Sequence, residues 1–132
     1  MMDMFKSPLF IDHKAVSAAP DKYIELEVNV AQILKSWRSS LFSFEWLQSD
    51  GAVKAPELLK DKDQQRYHAV VKALSDGQPL VKPVLGIGIQ DHVEIGLGKD
   101  VLLVLAAQGA DVIPVHVLRS DESDFQKYCT SV

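Results

Sequence analysis

"VEIGLGKDVLLVLAAQGADVIPVHV", residues 93–117, reads in one pass as a strand, a glycine-bracketed turn, an apolar helix and a second strand. Gly96 and Gly98 flank Leu97 where strand gives way to helix, and glycine there permits positive φ and close backbone approach. The first amides of the helix lack internal partners, and the helix dipole favours an anion beside them. Lys99 adds a mobile positive charge; the Asp100 carboxylate opposes it. Gly96, Leu97, Gly98, Lys99 and Asp100 therefore form a candidate phosphate or nucleotide site, with a purely structural turn as the alternative. Val101 stands where a Rossmann fingerprint has its third glycine, and the loop is too short for a P-loop. The run "VLLVLAA" is apolar around nearly its whole circumference, which predicts a helix over 99–108 buried on most sides.

Working outward, "PVLGIGIQDHVEIG" (83–96) holds two apolar runs separated by Gln90-Asp91 and predicts a hairpin. Residues 61–75 have helical spacing, with Tyr67, Val70, Val71 and Leu74 on one face. Asp61 and Gln64 have capping-box spacing, and Gly77 stands where a C-terminal left-handed residue belongs. "YIELEVN" (23–29) alternates strictly, as a half-buried strand does. Asn29 then caps a helix carrying Val30, Ile33, Leu34 and Trp37. In "LFSFEWLQSDGAVK" (41–54), Phe42, Phe44 and Trp46 alternate with Ser43 and Glu45 before Asp50-Gly51, which predicts a short hairpin. A strand over 112–118 and a short helix from Ser120, turning Phe125 and Tyr128 inward, complete the chain. Residues 1–20 read as an arm lying over the surface or against a partner, and 21–132 as one α+β domain.

The 132 residues suit one domain with one core. With 47% hydrophobic and 24% charged residues, the composition is that of an ordinary globular protein. A net charge of −4 gives no global basic field to draw the chain onto DNA or anionic lipid, so nucleic acid is not the favoured partner. The lone cysteine, Cys129, can make neither an internal disulfide nor a Cys-rich metal site. No apolar run reaches membrane-spanning length, and "MMDMFKSPLFIDHKAV" (1–16) lacks the apolar stretch of a secretory signal. A cytoplasmic location is expected.

At this point the chain resembles a known family. "EIGLGKDVLLVLAAQGADVIPVHV" (94–117) is similar to the core of the ParB/sulfiredoxin-like superfamily, in which a strand enters a Gly-x-x-Arg turn, a helix follows, a glycine ends it and an "IPV" strand returns. The spacing from Gly98 to Gly109 and Pro114 matches the ParB-like nuclease domain, and "AVVKALSDGQPLVKPVLGIGI" (69–89) resembles its preceding helix, turn and strand. The resemblance covers residues 67–118 and implies a ParB-like mixed sheet with packed helices. ParB-type domains carry Glu-Arg-Arg after the glycine, whereas this chain has Lys99, Asp100 and Val101. One lysine does not replace two planar guanidinium forks for phosphate. Sulfiredoxins need a nucleophilic cysteine at that turn, which this chain lacks.

The resemblance thus implies a retained scaffold with a degenerate phosphate turn. The expected function is a non-catalytic module that binds a protein partner or a second copy of itself, of a kind resembling proteins from bacterial mobile elements. The alternative is a nucleotide-dependent or nucleic-acid-processing enzyme using the Gly96–Lys99 turn as its phosphate site, with Asp91 or Glu94 holding Mg²⁺ beside a nucleotide. No other cofactor is called for. Asp91 and Glu94 also suit simple hairpin-tip chemistry. His92 and His116 fall in what read as neighbouring strands and could approach one another, but two histidines without a matched carboxylate or thiolate are poor grounds for a metal. His116, between Val115 and Val117, reads as an outward strand residue. Lys60, Lys62, Arg66 and Lys72 read as a solvated helix face. Trp37, Phe42, Phe44 and Trp46 read as core, and as a partner-binding patch if exposed.

Overall fold

The computed structural model describes residues 8–129. The chain opens with a two-residue strand, β1 (Phe10–Ile11), and a short helix, α1 (Lys14–Ala18). Strand β2 (Tyr23–Asn29) leads directly into α2 (Val30–Trp37). The Asn29 side chain accepts from the Gln32 amide at 3.0 Å, so the expected N-cap forms. After an irregular stretch come α3 (Asp61–Ser75), β3 (Leu80–Val81), β4 (Val84–Ile87), β5 (Val93–Leu97), α4 (Lys99–Ala107) and β6 (Val112–Leu118). The last described α-helix, α5 (Glu122–Phe125), lies between 3₁₀ turns and buries Phe125, and the turn after it, Gln126–Tyr128, buries Tyr128.

The main sheet has four strands in the order β2-β6-β4-β5. β2 and β6 are antiparallel, β4 and β5 form the antiparallel hairpin read at 83–96, and β4 runs parallel to β6. A separate parallel pair joins β1 to β3. The molecule is thus a single α+β domain with a mixed sheet.

Helix α4 is its centre. Five consecutive residues, Val101 to Leu105, are buried, which a helix allows only when its neighbours surround it. They pack with Val28, Ile33, Val70, Val93, Val115 and Val117 in one cluster. Each such side chain contributes roughly 1.5–3 kcal/mol on leaving water.

Four expectations need correction. Residues 42–46 do not form a strand: Ser43–Glu45 is a 3₁₀ turn, and only the Leu47–Val53 bridge around Asp50-Gly51 is hairpin-like. The Ser43 hydroxyl donates to the Arg38 and Ser40 carbonyls, which curls the chain back onto the end of α2. The Asp61–Gln64 capping box does not form either. Lys60 is the N-cap, so Asp61 already lies inside the first turn, one position too late to cap it. His92 and His116 are not on neighbouring strands, because β4 lies between β5 and β6. Finally, His116 is buried, not outward. Period-2 alternation does turn it from the Val115 face, but that second face is covered by groups from the 10–18 segment and from Lys82.

The expected arm over 1–20 is described only from residue 8, and its first seven residues lie outside the described ones, as do the last three of the expected 21–132 domain. Its described part is tied to the body. Leu80 and Lys82 donate to the Leu9 and Ile11 carbonyls, and Val16 is buried.

Candidate functional site

The glycine turn joins β5 to α4. Gly98 adopts φ +81° as the N-cap of α4, and its carbonyl receives the Leu102 amide at 3.0 Å. A side chain at residue 98 would be strained by that φ and would also collide with Pro83. Lacking a side chain, Gly98 cannot cap the helix, so the first amides face outward from the ladder. Asp100 folds back onto its neighbour, its Oδ1 accepting from the Val101 amide at 2.9 Å. This consumes one of the helix-terminal amides.

The turn forms the floor of a cavity of about 390 Å³, which all five candidate residues line: Gly96, Leu97, Gly98, Lys99 and Asp100. Its remaining walls are Ile95, Trp46 and Arg66. Trp46 is 0% exposed and stacks on Tyr67 at 6.4 Å, yet its indole Nε1–H has no acceptor among the described residues. Leaving a buried donor unsatisfied costs about 1–3 kcal/mol. Arg66 and Lys99 set two positive charges against the one of Asp100. The cavity therefore combines helix-terminal amides, a guanidinium and an ammonium, a donor-rich set suited to an oxyanion.

Glu45 lies close by. The Lys60 ammonium at 2.5 Å holds its carboxyl below the ordinary range, with a smaller contribution from Lys99. On the other side of the turn, Leu97, Gly98, Asp100 and Val101 also line a mainly apolar cavity of about 310 Å³ with Val70, Ala73 and Leu80.

The secondary candidates lie elsewhere. Asp91 occupies the β4–β5 tip at φ +61°, its amide donating to the Gly88 carbonyl. His92 Nε2 meets Glu94 Oε2 at 2.5 Å, and Ser40 Oγ donates to Glu94 Oε1 at 2.8 Å. His92 Nδ1 is buried without a partner among the described residues. His92 and Glu94 line a third cavity of about 590 Å³ with Leu41 and Ile89, apart from the glycine turn. His116 stands opposite Glu25 in the β2–β6 register, and a ring nitrogen lies within 4.8 Å of carboxylate oxygens of Asp12 and Glu25. Burial lowers the pKa of the imidazole below its usual value.

Sequence reasoning missed Arg66 and Trp46 at the turn, and Asp12, Glu25 and Lys82 around His116. Arg66 looked like part of a charged helix face, and only the packing of α3 on α4 brings it to Lys99. The aromatic alternation at 42–46 is split. Trp46 is core, whereas Leu41, Phe42 and Phe44 are 78%, 57% and 63% exposed.

No helix of the described residues is long and apolar enough to cross a membrane. Comparison with protein-family models, with curated proteins and with solved structures finds no significant match to this chain.

Proposed function

We propose that this protein is a binding module on a ParB-like scaffold which takes a phosphate group of its ligand at the Gly96–Lys99 turn. The observation that carries this reading is the convergence of the Arg66 guanidinium, the Lys99 ammonium and the start of α4 on one cavity. Arg66 supplies, from α3, the guanidinium fork that the turn itself lacks. The adjoining apolar cavity would take the non-phosphate part of a phosphate ester. Binding is favoured over catalysis because Asp91 and Glu94, the carboxylates a Mg²⁺-nucleotide site would need, belong to the hairpin, and Glu94 is engaged by His92 and Ser40.

The test is thermal melting with inorganic phosphate and with ATP, CTP and GTP, each with and without Mg²⁺. A ligand at about 100 times its Kd stabilises by about 2.7 kcal/mol. The shift is expected in the native chain and lost in Arg66→Ala and Lys99→Ala. No shift with any of these up to millimolar concentration overturns the reading, and Mg²⁺-dependent nucleotide turnover would replace it with the enzyme alternative.

A second reading, association with a protein partner or a second copy, is favoured by the exposed Leu41, Phe42 and Phe44, with Ile89 fully exposed on the same cavity as Leu41. Sedimentation of the native chain against a Phe42→Ser/Phe44→Ser double variant tests it. A monomer at every concentration, unaffected by the substitutions, removes self-association.

A further inference from the structure

Away from the glycine turn, Asp12 after β1, Glu25 on β2 and His116 on β6 bring two carboxylate oxygens and one imidazole nitrogen within 4.8 Å of one another. We propose that these three side chains form a binding site for a divalent transition ion of the Zn²⁺/Co²⁺ type, guarded by the Lys82 ammonium. One nitrogen and two oxygens are a donor set such ions accept, and three protein ligands leave a position for water.

Two features separate this cluster from an ordinary acidic patch. His116 is 5% exposed and its Nδ1 is buried with no partner among the described residues, although the ring stands beside two anions. A cation already occupies the space between the carboxylates: Lys82 Nζ lies 2.8 Å from Asp12 Oδ1 and 2.7 Å from Glu25 Oε1. Lys82 carries its ammonium on a flexible stem, so a dication that neutralises both carboxylates would expel it into solvent. Because Asp12 belongs to the N-terminal segment and the other two ligands to the main sheet, the ion would also staple that segment down.

Co²⁺ titration of the chelator-treated full chain, followed by its visible d–d absorption and by Zn²⁺ displacement, tests the proposal. The native chain is expected to bind one equivalent. Lys82→Met is expected to bind about tenfold tighter, since a competing positive charge is gone. Binding is expected to be lost in His116→Gln and in Asp12→Asn; the latter alters an exposed carboxylate and keeps the test valid if the buried histidine variant fails to fold. Absence of one-equivalent binding in both the native and Lys82→Met chains overturns the site. So does binding that survives Asp12→Asn, or an affinity unchanged by Lys82→Met.

Discussion

Gly98 lies so close against Pro83 that a Cβ on residue 98 would sit 2.8 Å from the Pro83 Cα. Positive φ and lack of space coincide there, so the turn that lines the cavity beside α4 accepts only glycine. Gly98→Ala is expected to cost on the order of 2–4 kcal/mol, combining backbone strain with overpacking. Gly77, at φ +70° with nothing within 4 Å of an added Cβ, isolates the strain alone, and Gly77→Ala should cost about 1 kcal/mol. Urea unfolding of the two variants checks the difference; equal losses would refute the close-packing explanation.

Ser36 joins three parts of the fold. Its Oγ accepts from the Val93 amide at 2.9 Å and from the Tyr128 hydroxyl at 3.0 Å, tying α2 to β5 and to the C-terminal segment. Ser36→Ala leaves the amide of a fully buried residue without its acceptor and should cost about 1–3 kcal/mol. Tyr128→Phe removes only one donor and should cost about 0.5–1.5 kcal/mol. Denaturant midpoints in the reverse order would show that the tyrosine contact dominates.

The Glu45–Lys60 pair sets a pH dependence. The ammonium lowers the carboxyl pKa in the folded chain, so the contribution is fully present above the unfolded glutamate value, about 4.3, and is lost as pH falls through the lower folded value. Glu45→Gln is therefore expected to melt below the native protein at pH 7 and to converge with it in strong acid. Molar salt should narrow the gap at pH 7, because Lys60 is exposed. Melting curves at pH 7 and pH 3 decide the matter, and a gap that widens in acid would contradict the sign.

Cys129 is a guarded thiol. Burial raises its pKa, assisted by Glu122, and Sγ lies 3.4 Å from the Phe125 carbonyl. Iodoacetamide at neutral pH should modify it several-fold more slowly in the folded chain than in denaturant, since the thiolate is the reactive form. Mass spectrometry of a time course reads this directly, and equal rates in the two states would refute the protection.

Much of the local structure is legible in the residues themselves. The alternation at 23–29, the Asn29 cap, the helical face at 61–75 and the apolar run 101–105 report backbone geometry that neighbouring residues decide among themselves. The failures lie where the same local pattern has two outcomes. Phe42, Phe44 and Trp46 share one alternation, yet only Trp46 is buried, because backbone bonds from the Glu45 and Trp46 amides to the Phe42 and Ser43 carbonyls close a 3₁₀ turn in place of a strand.

From its residues alone, the chain determined strands β2 and β4–β6, helices α2–α4 and the glycine turn, since hydrogen-bond spacing and side-chain period are short-range properties. Tertiary structure alone decided that β4 separates His92 from His116, that α3 carries Arg66 to Lys99, and that Asp12, Glu25 and His116 meet around Lys82. Those meetings depend on sheet order and strand register. The charges that converge there come from segments far apart in the chain, and no local periodicity encodes which of them will face one another.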